Sequence, residues 1–278
     1  MSAPHLFGQK NPPFVSYCAN LEDVIVNRVL PQAGGFYVDV GAHEPKSGSV
    51  TWALYERGWS GIVIEPMEHL CVRFKELRPR DVSLCIALGG QKGEAPFYIL
   101  DEGGGHSTMV EGIAKQLQKD MNARVSERRV PVRTLADVLD EYAQGKPIDL
   151  LKIDAEGAEA EILRGAQLDK YRPKLIIIEA MKPFQQIDAS QQSTRILEGH
   201  DYVLGYEDGL NKFFVAKESK ELLALLRYPP SVFDNYISYR EVALQVRVAK
   251  LKRRAARWCA AFIVASVALV GAIIAIAI

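Results

Sequence analysis

Cysteine is scarce and scattered in this chain. Cys18, Cys71, Cys85 and Cys259 are the four in 278 residues, and no two share the short spacing of a zinc knuckle or a disulfide framework. An excess of basic charge is also missing. Lys+Arg and Asp+Glu both number 34, a formal net charge of zero, which argues against a dedicated nucleic-acid binder. Met1–Lys10 holds no apolar run that would serve as a signal peptide. Internal repeats are absent, and nothing before the tail is of low complexity. With 48% apolar and 24% charged residues, wholesale disorder is excluded and a packed core is expected.

The charge that is present is unevenly spread. Arg247, Lys250, Lys252, Arg253, Arg254 and Arg257 form a basic collar, and no charged residue follows it. Residues 1–246 therefore hold 28 basic and 34 acidic side chains, a net of −6. Trp258–Ile278 is uncharged and apolar, with Ser266 as its polar residue. At ~1.5 Å per residue such a helix matches a hydrocarbon core of ~30 Å. The expectation is a single-pass C-terminal transmembrane anchor, with the collar and the acidic body on the cytoplasmic side. Cys259 at the boundary reads as a plain thiol or an acylation site. Ala261, Ala265, Ala268, Ala272 and Ala275 have spacings that allow close helix approach, a route to a homodimer. The chain is thus divided into a body over 1–234, a basic juxtamembrane helix over 235–257 and an anchor over 258–278.

Within the body, short β-branched runs alternate with helical patterns. Strands are expected at Phe36–Ala42, Gly61–Pro66, Val82–Leu88, Ile148–Asp154 and Lys174–Ala180. Helices are expected at Val50–Arg57, Met67–Leu77, Leu135–Tyr142, Glu156–Arg164 and Glu221–Leu226. The pattern indicates an α/β fold, a doubly wound, Rossmann-like and mostly parallel sheet. An insertion over Pro96–Val132 interrupts it with a short strand, a glycine-rich loop and a polar helix. Tyr202–Tyr206 and Lys212–Ala216 flank Asp208-Gly209 and read as a C-terminal antiparallel hairpin.

Ligands of such sheets sit beyond the carboxyl ends of the strands. The first strand ends in Asp39-Val40-Gly41-Ala42-His43, an acid followed by a glycine that lets a ligand approach the backbone. The second ends in Glu65-Pro66, and a carboxylate there can accept from both hydroxyls of a ribose. Together they suggest a nucleoside cofactor. A dinucleotide site wants G-x-G-x-x-G after the first strand. Gly41-Ala42-His43-Glu44-Pro45 instead supplies one glycine and an acid where a phosphate would lie, which disfavours NAD or FAD. S-adenosylmethionine, with no phosphate, meets no such objection.

These residues also carry a family resemblance. The chain resembles the FkbM family of S-adenosylmethionine-dependent O-methyltransferases through Phe36–Ala42, Gly58–Pro66, Gly105-His106-Ser107-Thr108, Val132–Leu135, Asp149–Glu159 and Ile178–Pro183. The likeness extends through Tyr206–Val215 to Val232-Phe233-Asp234, and KIDAEGAE is its most specific block. Where many members carry Asn and Gly after the first-strand motif, this chain has His43 and Pro45. The resemblance implies that Asp39 and Gly41 border the methionine end of the cofactor and Glu65 holds its ribose. It also implies that Ala87 and Leu88 lie against the adenine, with plain core packing as the other reading of those two.

Methyl transfer to an alcohol needs the acceptor oxygen in line with the methyl and a base for its proton. Asp154, ending the fourth strand, is the best-placed base, or else a ligand of a divalent metal. No residue is assigned as a metal ligand. Glu156 and Glu159, three apart, are expected on one helical face, with a helix-dipole role as the alternative. His106 in a glycine-rich loop is a second catalytic candidate, and His43 is placed at the cofactor turn. Glu179 either faces acceptor hydroxyls or caps the sheet edge. The expected activity is O-methylation of a sugar hydroxyl on a lipid-linked or cell-surface glycan. The contrasting expectation is a membrane-tethered, non-catalytic adaptor that docks a biosynthetic partner. An NAD-dependent sugar oxidoreductase suffers from the missing glycines.

Overall fold

The computed structural model describes residues 12–100, 105–122, 124–182 and 185–277. Met1–Lys10 and the glycines at 103 and 104 of the expected loop lie outside them. The chain divides into two compact units. The smaller joins the residues up to Ser16 to those from Asn235 on. There β1 (Phe14–Ser16) pairs in parallel with β12 (Tyr236–Ser238), and α9 runs on from Tyr239 to Ala277.

The main unit, Tyr17–Asp234, opens with α1 (Glu22–Val29), β2 (Phe36–Val40), α2 (Trp52–Glu56), β3 (Ser60–Ile64), α3 (Glu68–Leu77) and β4 (Val82–Leu84). It continues through β5 (Ala87–Leu88), β6 (Gly93–Leu100), α4 (Glu111–Met121), β7 (Val125–Arg133) and α5 (Leu135–Tyr142). Then come β8 (Leu150–Ile153), α6 (Glu159–Arg164), β9 (Leu175–Glu179), α7 (Gln191–Gly199), the hairpin β10 (Tyr202–Glu207) and β11 (Asn211–Ala216), and α8 (Leu223–Leu226).

Seven strands form one sheet in the order β10-β11-β9-β8-β2-β3-β4. Five of them, β9-β8-β2-β3-β4, run parallel out to the β4 edge, and β11 joins β9 antiparallel. Alternation of side chains across a strand splits the core in two. Val38, Val40, Ile62, Ile64, Leu151, Ile153, Ile176 and Ile178 pack on one face with Leu135, Leu139, Ile162 and Leu197 of α5, α6 and α7. Tyr37, Val63, Leu150, Leu175 and Ile177 pack on the other with Ile25, Val26, Leu54 and Phe74 of α1, α2 and α3. Each fully buried aliphatic side chain contributes about 1.5–3 kcal/mol, so burial on both faces is why these strands tolerate so few polar residues. From β2 the chain winds outward to β4, then returns to β8 on the other side. The switch in strand order falls between β2 and β8, where a doubly wound sheet opens a crevice.

Several expectations need correction. Val82–Leu88 is two strands in different sheets: β4 ends the main sheet, while β5 pairs with β7 in a three-stranded sheet ordered β5-β7-β6. The kink frees Ala87 and Leu88 from the main sheet. The expected insertion contains β7, which pairs with the whole of β6, from Gly93↔Val132 to Leu100↔Val125. Its Glu-Arg-Arg run conceals a strand whose outward face is solvated. Helix α6 starts at Glu159, not Glu156, because Glu156 and Gly157 have φ of +49° and +98°, outside helical space. Glu156 and Glu159 therefore do not share a helical face.

The anchor is overturned as well. Among the described residues no helix is long and apolar enough to cross a membrane. Side chains at 264, 267, 268, 270 and 273–278 of the expected span lie outside the described residues. The single-pass topology, and the cytoplasmic placement drawn from it, therefore fall.

Candidate active site

Two strand exits face each other across the switch point. At the end of β2 the chain turns through Gly41, whose φ is +68°. A Cβ there would stand 1.7 Å from the carbonyl oxygen of Asp154, so only glycine fits. The N–H groups of Gly41 and Ala42 both reach the Ile64 carbonyl, at 3.0 and 3.2 Å. His43, with φ of +49°, donates its N–H to Glu65 Oε2 at 2.9 Å, and Met67 N–H donates to Glu65 Oε1 at 2.9 Å. Burial pushes the Glu65 carboxyl up, and these two N–H bonds oppose the shift. One bond to each oxygen fixes the carboxylate and leaves each a further lone pair for a ligand.

The register of β2 against β8 sets Asp39 opposite Lys152. Lys152 Nζ lies 3.0 Å from the Gly41 carbonyl, 3.2 Å from Asp154 Oδ2 and 3.7 Å from Asp39 Oδ1. Burial would lower its pKa, but the carboxylates of Asp154 and Asp39 outweigh it and the ammonium is held above its ordinary range. Asp39 is 1% exposed and accepts from the Thr51 hydroxyl at 2.6 Å. Behind Thr51 stands a fully buried Arg78, which donates to Thr51, Tyr37 and Asp81. Asp39 is therefore not a wall of the site, as expected for a residue bordering a cofactor, but an anchor for Lys152 from beneath.

At the exits of β8 and β9 the acids gather. Carboxylate oxygens of Asp154, Glu156 and Glu179 lie within 4.8 Å of one another, a donor set able to hold a metal ion. Burial and the charges of Asp154, Glu156 and Glu159 push the Glu179 carboxyl up to about 11. His106 Nδ1 sits 3.1 Å from Glu156 Oε1. The Thr108 hydroxyl donates to the Glu156 carbonyl at 2.7 Å and accepts from Val110 N–H at 2.9 Å, tying the turn after residue 104 to the turn after β8. Burial also raises Glu156, against the bond from His106. Glu159 accepts the N–H groups of Ala155 and Gly157 on Oε1, at 2.9 and 3.1 Å, and burial lifts it to about 7. It braces the loop that presents Asp154 and Glu156.

Between the two exits lies a cavity of about 860 Å³, its open mouth included. Gly41, His43, Glu65, Ala87, Leu88, Asp154 and Glu156 all line it. Leu88 also packs in the core with Val38 and Ile64, so the two readings of that position coexist. His106 is not on the wall, although its neighbours Gly105 and Ser107 are; it reaches the site through Glu156. Ile86, Phe97 and Met109 complete an apolar side that sequence reasoning missed. Lys152 was missed too. A lone lysine inside an apolar strand was the signal, since a buried ammonium needs an anion and Asp39 is the acid on the adjoining strand.

A family model described as the methyltransferase FkbM domain matches residues 39–212. The methyltransferase sdnD of Sordaria araneosa is 30% identical over 121 residues, covering 36% of this chain and 47% of that protein. The chain thus aligns with about half the length of that curated relative. A solved structure titled as a putative O-methyltransferase from Klebsiella pneumoniae is 12% identical, with a TM-score of 0.35, over 72% of this chain and 82% of that one. The matched span begins at Asp39 and takes in both strand exits: this chain belongs to the FkbM methyltransferase domain family.

Proposed function

We propose that the cavity binds S-adenosylmethionine and that the protein is an O-methyltransferase acting on a sugar or glycan hydroxyl. The observation that carries the reading is the charge of the wall. Glu44, Glu65, Asp154 and Glu156 line the cavity, against Lys152 as its one lysine or arginine. That lysine is committed to Asp39, Asp154 and the Gly41 carbonyl. A pyrophosphate would find no cation to meet it, whereas a ligand with a sulfonium and an ammonium group complements the acids. Glu65, fixed by two N–H bonds, suits a ribose diol.

When bound, S-adenosylmethionine supplies an electrophilic methyl. This chain's residues then have two tasks, to hold the acceptor and to take its proton. Asp154 is the base in this reading. Its side chain is 37% exposed towards the cavity and is oriented by Lys152. In this reading the acceptor O–H bond breaks as the O–CH₃ bond forms, the proton passing to an Asp154 oxygen and the electron pair of the broken methyl–sulfur bond leaving with the sulfur. His106 orients Glu156 beside it. The sugar class follows from the family likeness alone. The intact Lys152–Asp154 pair speaks for turnover and against a non-catalytic adaptor.

The test pairs calorimetry with a transfer assay. Asp154→Asn is expected to bind S-adenosylmethionine within about threefold of the parent and to lose 10²–10⁴ of the transfer rate, the usual worth of a general base. Full transfer in that variant would move the base elsewhere. No cofactor binding in the parent chain would end the methyltransferase reading.

A further inference from the structure

We propose that Asp154, Glu156 and Glu179 form a binding site for a hard divalent cation of the magnesium or manganese class, placed to hold the acceptor oxygen. The proposal rests on the methyltransferase reading for its purpose, but not for its geometry. Oxygens sharing such an ion at 2.0–2.1 Å stand ~3 to ~4.2 Å apart. The three carboxylates, already within 4.8 Å of one another, need only small side-chain rotations to reach that spacing. They are the one such group among the described residues. An all-oxygen set selects magnesium, manganese or calcium over zinc or copper.

A second observation points to a missing partner. Glu156 is 8% exposed, and its Oε2 is buried with no hydrogen-bond donor among the described residues. Its other oxygen is occupied by His106. Leaving a buried carboxylate oxygen without a donor is costly, and structures keep such atoms where an ion or a proton completes them. Charge counting agrees. Lys152 is shared between Asp39 and Asp154, which leaves Glu156 and Glu179 with His106 as the nearby basic partner. A cation would relieve all three groups at once.

Bound there, the ion would meet an acceptor oxygen next to Asp154 and make its hydroxyl easier to deprotonate. This assigns Glu179, at the end of β9, to the acceptor side of the site.

Manganese(II) alone is the probe, titrated into the full chain and followed by electron paramagnetic resonance. One ion per chain is expected, with a dissociation constant below about 1 mM. Glu179→Gln and Glu156→Gln should each weaken it at least tenfold. S-adenosylmethionine binding, measured separately by calorimetry, should stay within about threefold in Glu179→Gln, whose residue is not part of the cavity wall. Thermal melts should show Glu179→Gln no less stable than the parent in metal-free buffer, since the substitution removes repulsion. No saturable manganese binding in the parent overturns the proposal, as does binding unchanged in both variants. A loss of cofactor binding in the parent would instead strike the methyltransferase reading and leave the ion's own result standing.

Discussion

The two exits that border the cavity are built from the same residue type and finished to different degrees. At the β3 exit, Glu65 has a backbone N–H on each oxygen and is locked in place. At the β8 and β9 exits, Asp154, Glu156 and Glu179 crowd together with too few donors, and Glu156 Oε2 has none among the described residues. A carboxylate fixed by backbone suits recognition of an unchanging ligand part. A set left short of positive charge suits chemistry, because its protons and ions are still to be assigned. Under the proposed function the contrast gives recognition to the first half and reaction to the second.

The comparison breaks most sharply at Lys152, the cation that touches both halves. Lys152→Met removes the partner of Asp39 and Asp154 together. Breaking a buried pair costs about 3–5 kcal/mol, and urea unfolding should show a loss in that range. A loss under about 1 kcal/mol would mean that the acids are neutralised without it. Next in size is Glu65→Gln, which keeps the shape but replaces one accepting oxygen with a donor facing an N–H. Hydrogen bonds to a charged group are worth about 1.5–3 kcal/mol. Calorimetry should therefore find S-adenosylmethionine binding weakened about 10- to 100-fold, with manganese binding untouched. Equal weakening of both ligands would erase the division of labour.

The smallest effect concerns pH. Glu159 has its folded-state pKa raised to about 7 by burial, so the folded protein binds its proton more tightly than the unfolded chain does. Its contribution to stability is full below pH ~4.5 and is lost as pH rises to about 7. Because Oε1 alone accepts both backbone N–H groups, an amide can take its place. Glu159→Gln should flatten the fall in denaturation midpoint between pH 4.5 and 7 and change little at pH 4.5. An unchanged slope would show that Glu159 is ionised throughout.

Much of this molecule could be read before its structure. The parallel strands announced themselves because burial on both faces demands unbroken Val, Ile and Leu, and Gly41, Glu65 and Asp154 followed as their end residues. Strand β7 was hidden because half its residues face solvent and carry Glu127, Arg128 and Arg129. Helix α1 was hidden because it begins after Leu21, a left-handed residue with no side-chain cap, so no capping signal precedes it. Glu156 was misassigned because sequence spacing alone cannot reveal a positive φ at a non-glycine residue. Lys152 emerged only once strand order made β2 and β8 neighbours, and Glu179, read from the sequence as facing acceptor hydroxyls or capping the sheet edge, joined Asp154 and Glu156 only through the pairing of β8 with β9. The three clustered acids come from the exits of the consecutive strands β8 and β9, whereas Asp39, the other partner of Lys152, comes from β2 far earlier in the chain, and that adjacency is a property of topology.

Gly41 has a meaning beyond its own turn. There is space at that point for one hydrogen atom, and the nearest obstacle is the carbonyl of Asp154 itself. The β2 and β8 exits are therefore geared, backbone tooth against backbone tooth. A redesign that swaps the loop after β8 for another acceptor must keep that carbonyl where it is, or the cofactor side will slip with it.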